Sequence, residues 1–154
     1  MKGGACMKKR FHVAVCIAAA LLPILTGCGK RIDYELPVKP IEFHTATFVN
    51  PSDPDDSYQS VEYNGRIYIG YGTLKGSIDG DDVGQCLGYI VQDGVIMKDV
   101  RVFLLKADPD ENYLVQLVSG GFMDQLVFFR ALDSKGKTID TPPYIERLEY
   151  PYWE

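Results

Sequence analysis

The chain has 154 residues, among them 16 Lys or Arg, 21 Asp or Glu, 15 Gly, 9 Pro and 4 Cys. That length holds one domain, or one domain and a leader, and excludes large multidomain enzymes; with 46% hydrophobic and 24% charged residues it is not a wholly disordered chain. The formal charge of −5 is unevenly spread: residues 1–28 carry four basic side chains (Lys2, Lys8, Lys9, Arg10) and no acidic one, leaving 12 basic against 21 acidic residues, a net of −9, for the remainder. An acidic domain repels phosphate backbones, so nucleic acid is not an expected partner.

Residues 1–27 read as an export signal. A basic stretch, Lys8-Lys-Arg10, precedes the apolar run Phe11–Leu25. As a helix that run rises only about 22 Å, short of the roughly 30 Å hydrocarbon core, and Pro23 disfavours an uninterrupted span. Either Met1 or Met7 can serve as the start, the latter giving the more ordinary leader length. The run ends in Leu25-Thr26-Gly27-Cys28. This resembles the lipobox of bacterial lipoproteins, and the resemblance implies cleavage between Gly27 and Cys28 and a diacylglyceryl group on the Cys28 sulfur. It further implies a palmitate-type lipid anchor holding the chain to the extracytoplasmic face of the cell membrane, where two acyl chains give stable attachment.

Once the leader leaves with Cys6 and Cys16 and Cys28 is acylated, Cys86 stands alone, so the exported part has no intrachain disulfide. Cys86 lies in Val83-Gly-Gln-Cys-Leu-Gly88, which reads as packed chain, and burial is the favoured reading over a reactive thiol. Residues 28–40 contain two Pro and little periodicity and read as the lipidated Cys and a tether, reaching at most roughly 40 Å when extended. Residues 41–154 then form a single globular domain.

Strand signals dominate that domain. A first strand is expected over Glu42–Val49. In Val61-Glu-Tyr-Asn-Gly-Arg-Ile-Tyr-Ile-Gly-Tyr71 the Asn64-Gly65 pair supplies the two positive φ angles of a type I′ turn, which predicts Tyr63 opposite Arg66 and Val61 opposite Tyr68. Ile67, Ile69 and Tyr71 then share one face and Tyr68 the other, so both faces carry bulk. Further strands are predicted over Leu87–Val91, Val100–Leu105, Tyr113–Val118 and Leu126–Leu132, bounded by Gln92-Asp-Gly94, Asp108-Pro-Asp110, Ser119-Gly-Gly121 and Asp133–Gly136. Met123–Leu132 is open to a helical reading as well. Thr141-Pro-Pro-Tyr-Ile-Glu-Arg-Leu148 has a capping Thr and Pro at the first helical position, which predicts a short C-terminal helix. The expected fold is mainly β, a small antiparallel sheet, sandwiched or curled into a barrel, with α+β as the alternative.

Three acidic clusters are candidate cation sites: Asp53-Pro-Asp-Asp56, Asp79-Gly-Asp-Asp82 and Asp108-Pro-Asp-Glu111. Asp108, Asp110 and Glu111 are the strongest of these for Ca²⁺, but none has EF-hand spacing. An Asp followed by Pro is also the start of a type I turn, and turns are the favoured reading, with no metal and no cofactor expected. Catalysis is poorly supplied. His44 is the only His after the leader, there is no Gly-x-Ser-x-Gly elbow, Ser119 precedes Gly120-Gly121 without a base nearby, and only a Cys86–His44 dyad is formally available. An enzyme is not expected.

Tyr150, Tyr152 and Trp153 crowd the C-terminus. They are candidate contacts to a ligand or partner, or alternatively rings that close the domain. The run Tyr63-Asn-Gly-Arg-Ile-Tyr68 followed by Val83-Gly-x-x-Leu-Gly88 is similar to a pattern in small uncharacterised lipoproteins of Gram-positive bacteria; it carries no activity across. The expected function is a non-catalytic, lipid-anchored interaction domain at the cell membrane with a protein partner at the cell surface, one version being an immunity-type lipoprotein. The alternatives are an envelope protein that binds glycan or Ca²⁺ and, more remotely, a small hydrolase.

Overall fold

The computed structural model describes residues 30–119 and 127–154. Nine strands make one sheet: β1 (Ile41–His44), β2 (Ala46–Asn50), β3 (Asp53–Tyr63), β4 (Arg66–Leu74), β5 (Val83–Gln92), β6 (Val95–Leu105), β7 (Tyr113–Val118), β8 (Val127–Ala131) and β9 (Ile145–Arg147). Their order is β1-β5-β6-β7-β8-β4-β3-β2, with β9 on β4. All pairings are antiparallel except β1 with β5. The sheet curls into a half-barrel, so the fold is mainly β. No helix among the described residues is long and apolar enough to cross a membrane.

Two hairpins set the register. Asn64 and Gly65 have φ of 50° and 72°, the type I′ geometry, and Val61 faces Tyr68 while Tyr63 faces Arg66, as the sequence predicts. Asp93 and Gly94 (φ 51° and 78°) repeat the device between β5 and β6, pairing Gln92 with Val95.

Because strands alternate faces, a sheet apolar on both must be covered on both. Phe43, Val61, Tyr68, Leu87, Ile90, Val102, Leu114 and Phe129 fill the concave side. There Phe43 on β1 meets Tyr63 on β3, ring centroids 6.2 Å apart, although β1 is at one end of the sheet order and β3 next to the other end; the curl brings them together. The convex side holds Ile69, Tyr71, Cys86, Phe103, Tyr113, Val115 and Phe128.

The predicted strand over Glu42–Val49 is two strands. Ile41–His44 lies parallel to Gly88–Val91, and Ala46–Asn50 pairs with β3, so one extended segment, turning at Thr45, serves both edges of the sheet. Thr45 N–H donates to Val91 O at 3.0 Å, closing the corner. The close pass of β1 explains Gly88, where a Cβ would run into the Ile41 backbone.

Two expectations need correction, and one open alternative is decided. Residues 30–36, read as tether, are laid on the convex face, where Ile32, Tyr34 and Leu36 pack against the core and Tyr34 stacks edge-on against Phe103 at 5.7 Å. The predicted helix over 141–148 does not form: Ile145–Arg147 pairs with Gly72–Leu74, because these backbone groups continue the ladder of β4 beyond Ile69, where its pairing with β3 stops. The chain instead finishes in a single 3-10 turn, Pro151–Trp153. Finally, Val127–Ala131 is a strand, which decides between the two readings of Met123–Leu132 for its described part.

Candidate functional site

Gly27 and Cys28 lie outside the described residues. The aromatic tail is inside the fold. Trp153 is buried, its Nε1 donates to Gly70 O at 2.8 Å, and its ring meets Tyr71 edge-on at 5.5 Å. Arg130 covers the Trp153 ring at 4.9 Å and Tyr71 at 5.1 Å. Tyr150 packs on Tyr58 at 5.0 Å, and Tyr152 on Phe48 at 4.9 Å, with Lys135 Nζ 4.1 Å over the Tyr152 ring. These rings close the convex face, which uses their area for packing.

Two of the three acidic clusters, 79–82 and 108–111, are built as turns. Glu111 N–H donates to Asp108 O at 3.2 Å, the i to i+3 bond of a β-turn, and Glu111 takes φ 52°. The Asp108 carboxylate points inward and accepts from Tyr113 N–H at 2.6 Å; burial pushes its pKa up. Asp110 lends its carbonyl, with that of Glu111, to Arg66. A cleft of about 220 Å³ lies beside this turn, between Asp108, Asp110 and Asp140. At the 53–56 cluster the turn begins three residues earlier than the sequence suggests. Asn50 accepts from Ser52 N–H at 3.0 Å and pairs with Asp53, so Asn50-Pro51-Ser52-Asp53 makes the bend and Asp53–Asp56 already belongs to β3. The 79–82 cluster is tied internally, Asp82 accepting from Asp79 N–H and Asp79 from Asp81 N–H. Among the described residues no three or more His, Cys, Asp or Glu side chains are grouped to hold a metal.

Cys86 and His44 are not brought together. His44 is exposed beside Glu42 and sits level with Val91, five residues along β5 from Cys86, about 16 Å at strand rise. Cys86 is buried, and burial pushes its thiol pKa up, away from the thiolate. Ser119 closes the end of β7, its N–H donating to Asp99 O at 2.7 Å.

Arg66 is a structural hub that the sequence reading did not single out. Its guanidinium reaches Asp133 at 2.7 Å, Glu111 O at 2.8 Å and Asn112 Oδ1 at 3.2 Å, joining the β3–β4 hairpin to the 108–112 turn and the loop after β8. The neighbouring cation holds the Asp133 carboxyl below the usual range.

Among the described residues Val38, Ile41, Val49 and Ile67 are exposed one by one, whereas the outer end of the β5–β6 hairpin exposes three apolar side chains in a row. Val95, Ile96 and Met97 are 63%, 55% and 37% exposed, three consecutive apolar side chains on an otherwise acidic domain. β6 is irregular here, since Tyr89 faces Arg101 while Ile90 faces Met97, which leaves Lys98, Asp99 and Val100 bulged without partners on β5. A bulge bends the strand and raises its twist, setting the tip off from the barrel. Val95–Lys98 has no ladder partner on the side away from β5 among the described residues. The base of the hairpin is braced: Tyr89 OH donates to Glu42 Oε1 at 2.7 Å, and Lys98 Nζ lies 5.9 Å over the Tyr89 ring. The result is a firm apolar finger. The sequence reading began its strand at Val100 and missed it; the signal was the Asp-Gly turn leading straight into Val-Ile-Met.

No family model, no curated protein and no solved structure matches the chain.

Proposed function

We propose that this chain is a lipid-anchored, extracytoplasmic interaction domain that works without catalysis and engages a protein partner through the Val95–Met97 finger. The observation that carries the reading is the exposure of these three side chains at the tip of a braced type I′ hairpin. Water-exposed Val, Ile and Met gain roughly 25 cal/mol per Å² when covered, the usual driving force of association. The acidic surface adds attraction for a basic partner, felt mainly in the association rate and its salt dependence. The leader and the Leu25-Thr-Gly-Cys28 motif support the anchor and the extracytoplasmic location.

The test is affinity capture on the immobilised protein and on a Val95→Ser, Ile96→Ser variant. A stoichiometric protein held by the parent and lost by the variant is the expected result. Equal retention by both, or none by either, overturns the reading.

A further inference from the structure

The way residues 30–36 are fastened determines how an anchored domain would stand on its membrane. Lys30 O accepts from Gly80 N–H at 2.7 Å and Lys30 Nζ pairs with Asp81 at 2.7 Å. A Cβ at Gly80 would sit 2.6 Å from Arg31 O, so the strap lies flush against that loop. Lys106 Nζ closes the same corner by donating to Gly80 O. The chain is therefore fixed from Lys30 onward, and only Gly29 separates it from Cys28, a covalent reach of about 7 Å.

We infer that the domain stands end-on and close to the bilayer, with the rim formed by Lys30, Arg31, Gly80, Asp81 and Lys106 against the lipid head groups. This rests on the reading of Cys28 as the acylated residue. The Asp79–Asp82 loop leads directly into Val83, the first residue of β5, whereas the Val95–Met97 finger lies at the other end of that strand. Nine residues of strand separate the two ends, about 30 Å, so the finger is displayed outward, beyond the head groups and toward molecules approaching from outside. Lys30, Arg31 and Lys106 stand with Asp79, Asp81 and Asp82 on this rim, three cations against three carboxylates with Lys30 paired to Asp81, so no excess of negative charge holds the rim off a head-group surface and the short tether sets the approach.

The experiment uses the full chain, exported and extracted from membranes, in a Cys86→Ala background with a single fluorophore at Ala107→Cys, beside the rim, or at Gln92→Cys, beside the finger. Each protein is placed in vesicles of equal parts phosphatidylcholine and phosphatidylglycerol carrying a nitroxide on the head groups. Quenching several-fold stronger at 107 than at 92 is expected. Equal quenching, or stronger quenching at 92, overturns the posture. The mass of the Cys28 peptide is read on the same samples: acylated Cys28 with equal quenching removes the posture alone, whereas unmodified Cys28 removes the anchor and the posture with it. Gly80→Ala, which dislodges the strap but not the barrel, should even out the two positions; an undiminished contrast in that variant shows that the strap does not set the orientation.

Discussion

Trp153 Nε1 donates its hydrogen bond to the carbonyl oxygen of Gly70 at the one place where the β4–β8 ladder slips, between Gly70 and Gly72. The irregularity frees a buried carbonyl that the ladder cannot satisfy, and the next-to-last residue of the chain satisfies it. One residue on, Tyr71 O accepts from Leu148 N–H at 3.0 Å, so the C-terminal segment is latched to β4 at two consecutive carbonyls.

Trp153→Phe keeps the ring against Tyr71 and Arg130 but leaves Gly70 O unpaired, at a cost of about 1–3 kcal/mol. Trp153→Ala also opens a cavity and costs about 3–5 kcal/mol. Urea unfolding of the three proteins should rank them in that order, with Phe nearer the parent. Equal stability of the Phe variant and the parent would show that the hydrogen bond contributes nothing.

Replacing Arg66 tests the hub. Arg66→Ala abandons the carbonyls of Asp110 and Glu111 together with Asp133, and a loss of about 2–3 kcal/mol is expected. Arg66→Lys keeps the charge but not the planar fork and should recover less than half of it. Full rescue by Lys would reduce the site to simple charge pairing. The measurement is the urea midpoint of both variants.

Alkali should unfold the protein through its tyrosines. Burial pushes the hydroxyls of Tyr68 and Tyr144 up to about 12 from an ordinary 10, and raises that of Tyr113 too. A raised folded pKa means that the stabilisation is complete below pH 10 and is lost as pH climbs toward 12, by up to about 3 kcal/mol for each tyrosine. Tyrosinate absorbance should therefore rise together with the loss of strand circular dichroism. A smooth rise near pH 10 with the fold intact would contradict this.

Two aspartates respond to acid with opposite sign. Asp133, held low by Arg66, stabilises the fold above its unfolded pKa, and this is lost as pH falls through its folded value. Asp108, raised by burial, favours the fold when protonated, a contribution present below its unfolded pKa and lost as pH rises through its folded value. Asp108→Asn keeps an acceptor for Tyr113 N–H, so at pH 7 it should stay within about 1 kcal/mol of the parent. Its stability should then fall more steeply on acidification, because the compensating group is gone. Parallel pH profiles of parent and variant would remove Asp108 from this balance.

Much of the sheet was legible because its local chemistry agrees with its tertiary pairing. Asn64-Gly65 admits one hairpin register, and the fold uses it. Elsewhere local signals competed. Thr141-Pro-Pro143 looks like a helix start, yet Ile145 is worth more buried on β4 than on an isolated turn of helix. Nothing in Glu42–Val49 marks Thr45 as a corner, since both halves are extended and only their partners differ, β5 some 47 positions on for the first half and the neighbouring β3 for the second. The strap was readable but masked by Pro37 and Pro40: Ile32, Tyr34 and Leu36 alternate with period two, the pattern of a chain with one face on a core. For the candidate site, turn chemistry accounts for the clusters at 79–82 and 108–111, strand β3 takes up the one at 53–56, and packing accounts for the aromatic tail. Exposure of Val95–Met97 is a tertiary fact with no local trace: among the described residues the register of β6 on β7 ends at Val100 opposite Val118.

The corner at Thr45 also orders events in time. Ile41–His44 is synthesised early but has no parallel partner until Gly88–Val91 exists, and a parallel pairing across some 47 positions closes late because the loop entropy is paid first. The hairpins β3–β4 and β5–β6 form from neighbours, whereas the ring between the two sheet edges can be completed only after more than half the chain has been made. A nascent chain of this design stays open, and therefore threadable, until β5 is free to receive its first strand.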